Sequence, residues 1–191
     1  TARTWRSAYR KDEVEGPCAL GPLGFAGDEV HATHVHGGVH MAVLAYSAEH
    51  YPAWQRELGR DDFGSGALGE NLTLTGLEER TVCIGDVFAI GTAEVEVSQP
   101  RGPCANISRY WGIEDLLARV TVTGRTGWYL RVRTPGVVTR GDEVRRVAQP
   151  WPALTVARAL AAREDVAADV AGARALAECA ALSPEWRDLL R

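Results

Sequence analysis

Cysteine is scarce in this chain and never paired at close spacing. The four thiols stand at Cys18, Cys83, Cys104 and Cys179. No Cys-x-x-Cys occurs, which argues against a zinc ribbon and against a thioredoxin-type site. No apolar run approaches the roughly 20 residues that span a bilayer. Arg3, Arg6, Arg10 and Lys11 are not followed by an apolar segment of signal-peptide type, so a cytoplasmic location is expected. In that reducing compartment the cysteines are expected as free thiols. There is no basic stripe and no interleaving of arginine with aromatics, and the net charge is −4. Nucleic acid is therefore not an expected partner. A local cluster of arginines could still bind one phosphate.

What is present is an ordinary globular composition, 46% hydrophobic over 191 residues. That length allows one domain with a real core, with or without a small appendage. Up to about residue 147 the signals are mostly β. Val82 to Ile90 reads as one strand with a bulge or turn at Gly85-Asp86. Ala93 to Ser98 alternates Val95 and Val97 against Glu94 and Glu96. Gly127 to Val132 and Glu143 to Val147 read as further strands. Many short strands with Gly-rich turns suggest a barrel or sandwich. Helices interrupt them. Ser47 reads as an N-cap and Gly59 as a stop, with Tyr51, Trp54 and Leu58 on one face. Ile113 to Val120 reads as a second helix. After Pro150-Trp151-Pro152 the texture becomes Ala- and Leu-rich. Thr155, Asp165 and Ser183-Pro184 are start signals for three short helices. Such helices are marginal alone and must pack on the barrel or on a second copy, so a homodimer is one expectation. The domains read as a β-barrel over 1–149 and a three-helix extension over 150–191.

The stretch Gln99-Pro100-Arg101-Gly102-Pro103-Cys104 sets a thiol where a strand turns into a helix. The first helical amides lack partners and the dipole is positive there. A thiol in such a place ionises more readily than a free one of pKa about 8.5. Arg101 adds a second positive charge. A thiolate on a stiff turn suits a nucleophile or a metal ligand, whereas a structural core cysteine is the alternative. Cys83 and Cys179 read as core. All five histidines lie between residues 31 and 50. A zinc site at His31, His34, His36 and His40 is the less favoured reading, because the spacing lacks the His-Glu-x-x-His pattern. Gly69-Glu70-Asn71 read alone is a turn. Trp128 and Tyr129 point to opposite faces of a strand, so at most one faces a cavity. Arg125 reads as a surface or ion-paired residue, and Asp28 as a turn cap.

Several motifs occur together in a familiar order. His36-Gly37-Gly38, Gly69-Glu70-Asn71-Leu72, Gln99 to Cys104 and Gly124-Arg125-Thr126-Gly127-Trp128-Tyr129 resemble those of MOSC domains, named for the molybdenum cofactor sulfurase C-terminal domain. The tail Leu182 to Arg187 is similar to the three-helix extension of the YiiM-like branch. The resemblance runs from about Trp5 to the end. It implies a mainly β fold with α, a MOSC-type β-barrel with inserted helices. It implies the molybdenum cofactor, a pterin dithiolene, and reduction of N-hydroxylated bases or amines, a detoxification chemistry. Pyridoxal phosphate binding is attached to the family as a whole, and no motif here is tied to it. By the resemblance Cys104 is the molybdenum ligand and catalytic residue. Arg101 suits the pterin phosphate, Gln99, Glu70 and Asn71 suit pterin edges, and His36, Gly37 and Gly38 suit close approach to an anion.

The chain departs from the family in having Val39-His40-Met41 where a Pro-Asp-Lys run is usual. It also begins later than typical members, so a first strand is expected to be missing. It contains no flavin or haem domain and no iron–sulfur ligand set. An enzyme of this kind therefore needs a separate electron-donating reductase. The alternative is a carrier that hands the cofactor, or sulfur on Cys104, to another protein.

Overall fold

Val95 and Val97 alternate inward from the longest strand of the molecule, and the fold is organised about it. The computed structural model describes Tyr9, residues 11–28 and residues 37–191. The strands in chain order are β1 (Cys18–Gly21), β2 (Gly24–Phe25), β3 (Val43–Ser47), β4 (Leu72–Leu74), β5 (Val87–Ile90), β6 (Ala93–Pro100), β7 (Trp128–Thr134), β8 (Gly136–Val138) and β9 (Val144–Ala148). They form a small sheet of order β2-β1-β8 and a six-stranded sheet of order β4-β3-β7-β6-β5-β9. Among the described residues only the β3–β4 pair is parallel. Together the sheets make a half-barrel with added helices, the mainly β fold expected.

The helices are α1 (Tyr51–Leu58), α2 (Asn106–Trp111), α3 (Leu116–Thr123), α4 (Val156–Glu164), α5 (Val170–Glu178) and α6 (Pro184–Leu189). Gly59, Gly112 and Gly124 end the first three in the left-handed conformation, the usual glycine stop. Thr155 and Ser183 cap α4 and α6 through their side chains. Among the described residues no helix is long and apolar enough to cross a membrane.

Four boundaries differ from expectation, each for a local reason. Residues 82–86 are not strand. Gly85 adopts φ +82°, and the Asp86 carboxylate accepts from the Cys83 amide at 2.9 Å, closing a tight turn before β5. Ser47 does not cap with its hydroxyl, which donates to Glu49 at 2.6 Å, and a single 3-10 turn precedes α1. The second inserted helix begins at Leu116, not Ile113, because the Ser108 hydroxyl accepts from the Leu117 amide and holds 113–115 as a turn. Asp165 caps only a 3-10 turn, and Asp169 caps α5.

The C-terminal helices pack directly on the barrel. Leu154, Val156, Leu176 and Trp186 share one buried cluster with Val95, Val97 and Leu130. Backbone bonds Ile84 N–H to Leu154 O and Val156 N–H to Val82 O stitch the two parts at 2.8 and 2.9 Å. A second cluster, with Tyr46, Trp54, Phe63 and Ile107, lies under α1, α2 and α3.

Candidate functional site

One extra residue in β6 shapes the site. Val97 pairs with Leu130 and Gln99 with Tyr129, so Ser98 is an unpaired insertion in the ladder. Such a bulge bends a strand and re-aims the residues beyond it. From Val97 to Arg101 every residue is buried. Pairing continues one step past β6, through Arg101 N–H to Gly127 O at 3.1 Å. Gly127 must be glycine there, since its φ is +78° and a Cβ would stand 2.4 Å from the Ala45 carbonyl oxygen.

The chain then surfaces. Gly102 is exposed, Pro103 and Cys104 are half-buried, and α2 starts at Asn106. The thiol is free and lies at the strand-to-helix turn, as its motif implies. Cys83 and Cys179 are buried in core positions.

Arg101 is only 4% exposed. Its Nη2 donates to the Leu68 carbonyl at 2.8 Å. Its Nη1 is buried and has no hydrogen-bond partner. A buried cation with an idle donor is costly, of order 1–3 kcal/mol, and invites an anionic ligand. The hydroxyls of Tyr9 and Tyr129 lie within hydrogen-bond reach of the Arg101 guanidinium and within electrostatic reach of Cys104. Burial pushes both phenols above their ordinary range, and the Arg101 cation pulls the other way. Both therefore stay protonated at neutral pH as potential donors. Tyr9 also donates to the Ala67 carbonyl at 2.9 Å. Tyr129 stands in the Gly124–Tyr129 motif, whereas Tyr9 belongs to none of the motifs. Tyr129 could have been found by alternation, since Trp128 is fully buried on the other face of β7. Tyr9 has no local signal.

Glu70 does not present a free carboxylate, contrary to its expected pterin contact. Oε1 accepts from the Tyr51 hydroxyl, from the Gly66 amide at 2.8 Å and from Thr73 Oγ1 at 2.9 Å. Oε2 accepts from the Leu68 amide at 3.1 Å. Four donors use the acceptor capacity of a carboxylate. Glu70 instead moulds the 64–70 loop, whose Leu68 carbonyl holds Arg101. Asn71 is likewise engaged. Its Oδ1 accepts from the Leu44 amide at 2.9 Å, and its Nδ2 donates to Asp28 at 2.7 Å. Asp28 in turn pairs with Lys11. Arg125 pairs with Glu57 at 2.9 Å and lies over the Trp54 ring.

Gln99 is buried beside Ser98. Gly37 and Gly38 take φ of 92° and 82°, which favours glycine. They lead into a 3-10 turn over Val39–Met41. Ser98 Oγ donates to the His40 carbonyl at 2.5 Å and so links this turn to β6. His31, His34 and His36 lie outside the described residues, and with them the ring of His36 and the zinc alternative. The structure thus groups Arg101 and Cys104 with Tyr9 and Tyr129, with Glu70 and Asn71 as the frame behind them.

The described residues form a half-barrel whose central strand runs into a buried arginine and a half-buried thiol. The chain belongs to the MOSC domain family, whose pattern it matches over residues 32–145. It is 40% identical over 152 residues to the uncharacterized protein YflK of Bacillus subtilis, covering 80% of this chain and 68% of that one. It is 38% identical over 163 residues to a protein of Gibberella moniliformis named Reductase, covering 82% of this chain but 29% of that protein. The crystal structure of YiiM from Geobacillus stearothermophilus superposes with a TM-score of 0.82 at 35% identity, covering 93% of this chain and 84% of that one.

Proposed function

We propose that this protein is a molybdenum-cofactor-binding oxidoreductase that reduces N-hydroxylated bases or amines, with Cys104 as the molybdenum ligand. The observation that carries the reading is the idle, buried Nη1 of Arg101 beside a half-exposed cysteine. The donor set suits the group. Thiolate sulfur is a soft ligand of the kind such metals take, and a guanidinium offers a forked contact to a phosphate. When bound, the cofactor would supply the two-electron chemistry that removes oxygen from an N–OH group.

The chain's own residues position and protonate. Cys104 offers its sulfur at the surface end of the buried strand. Arg101 is aimed by Leu68 and leaves Nη1 for an oxyanion. The Tyr129 hydroxyl, kept protonated by burial, is the donor available to the same space, while the single O–H of Tyr9 is committed to the Ala67 carbonyl. Gln99 offers an amide next to the bulge. Glu70 holds the loop that aims Arg101. Likeness to the fungal Reductase supports redox activity, but this chain spans less than a third of that protein, so the electron donor is proposed as a separate partner.

The test is a molybdenum-to-protein ratio on protein made in cells that synthesise the cofactor, together with N-hydroxyl reduction using a reconstituted donor. Cys104→Ser is expected to abolish reduction and lower the metal ratio with the fold intact. Full activity in that variant would refute the ligand role. Metal retention in the unaltered protein without reduction by any donor would assign it as a carrier.

A further inference from the structure

A second set of unpartnered side-chain nitrogens lies at the junction of the barrel and the C-terminal helices. His40 Nδ1, Arg131 Nε and Arg187 Nε are all buried, and none has a hydrogen-bond partner. They come from three elements: the 39–41 turn, β7 and α6. Ser98 joins these elements. Its hydroxyl reaches the carbonyls of His40 and Tyr129, at 2.5 and 3.0 Å, and its own carbonyl accepts from the Ser183 amide at 2.9 Å. Ser183 is the N-cap of α6, one turn before Arg187. Arg131 stands two residues beyond Tyr129 on the same face of β7, away from buried Leu130. Its Nη2 donates to the Ala181 carbonyl, which fixes the guanidinium against the extension.

Among the described residues the charges have little to balance them. Burial, and after it the Arg131 and Arg187 cations, hold the His40 imidazole below its ordinary pKa. Glu96 faces Arg131 across the β6–β7 ladder, but it also pairs loosely with Arg133 at 3.9 Å. Cys179, Arg133 and Arg187 also act on Arg131. One carboxylate thus serves two arginines, and Arg187 adds a third cation. A water molecule could accept from these donors but would leave the repulsion between the cations in place. A tetrahedral oxyanion supplies both several acceptor oxygens and the missing charge.

We propose that the junction between the 39–41 turn, β7 and α6 is a binding site for a phosphate group, free or as a phosphomonoester, held by His40, Arg131 and Arg187. The site is separate from the Arg101–Cys104 pair, and its occupation cross-links the barrel to the helical extension.

The test uses the full chain at constant ionic strength, with inorganic phosphate and adenosine monophosphate as probes and chloride as the control. Dialysis or calorimetry is expected to find phosphate uptake that persists in Arg101→Met. With phosphate 100-fold above its Kd, Tm is expected to rise by about 5–10 °C. Arg131→Gln and Arg187→Gln should each weaken binding at least tenfold, while Cys104→Ser and Arg101→Met should leave it unchanged. His40→Asp places a carboxylate between the arginines. It should raise Tm in phosphate-free buffer and abolish the response to phosphate. Tighter binding of the nucleotide would identify a phosphomonoester as the source, and preference for the inorganic ion would identify free phosphate. Absence of uptake, equal Tm in phosphate and chloride, or binding lost with Arg101 but kept without Arg187 would overturn the proposal. These readouts do not involve molybdenum, so the site stands or falls apart from the proposed activity.

Discussion

Replacing Arg101 with methionine separates a ligand-binding role from a structural one. Methionine keeps most of the stem volume and adapts to irregular space, so no large cavity is left. The variant loses the charged hydrogen bond to the Leu68 carbonyl at 2.8 Å, at a cost of about 1.5–3 kcal/mol, together with the Arg101 contacts to the Tyr9 and Tyr129 hydroxyls. It also removes a buried donor with no partner, Nη1, which returns about 1–3 kcal/mol. The two nearly offset. Net destabilisation should stay under about 2 kcal/mol, a fall in Tm of at most about 8 °C for a domain of this size. Cofactor retention should respond far more strongly. Truncating one side of a buried charged contact costs about 2–4 kcal/mol, which is roughly 30- to 1,000-fold in affinity. Molybdenum per protein, measured before and after gel filtration, should therefore drop to background while thermal unfolding shifts little. Wild-type metal content in the variant would remove Arg101 from the site. A fall in Tm beyond about 15 °C would make the guanidinium a structural element.

Further expectations concern the frame. Glu70→Gln turns one acceptor oxygen into a donor facing other donors, and chemical denaturation should register a loss of about 2–4 kcal/mol; a neutral result would mean the four bonds do not shape the loop. Trp186→Ala should cost about 3–5 kcal/mol and lower a single calorimetric transition, because barrel and extension share a core; two separate transitions would contradict that. In phosphate-free buffer, Tm should fall as pH drops below about 6.5, the ordinary histidine pKa. The His40 pKa is lowered in the folded state by burial and by Arg131 and Arg187, so the unfolded chain takes up the proton first. His40→Asn should flatten that portion of the Tm profile, and an unchanged slope would show that His40 is not its source.

Local chemistry made much of this architecture readable. Alternation of Val95 and Val97 with glutamates specifies β6. Gly102 and Pro103 mark where the strand ends, with β6 running through Pro100, two residues beyond the expected Ser98, and Cys104 falling in the turn that follows. Ser183-Pro184 and Thr155 announce helix starts by capping chemistry that acts within one turn. What stayed hidden depends on distant partners. Glu70 sits in a motif that suggests a ligand, yet donors from Tyr51, Gly66, Leu68 and Thr73 occupy it. Asn71 is committed to Leu44 and Asp28 for the same reason. Tyr9 joins Arg101 across more than ninety positions, which no local pattern encodes. The bulge at Ser98 is invisible in composition, because an inserted residue is defined only against the partner strand.

The shared interior has a practical meaning for how the protein can be divided. The family pattern stops at residue 145, but the greasy centre continues through Leu154, Val156, Leu176, Trp186 and Leu190. A gene cut at the family border would strip a lid from the outer wall of the half-barrel and leave a sticky product. Borders drawn from shared ancestry and borders drawn from solvent exclusion do not coincide in this molecule, and the second kind decides what can be expressed whole.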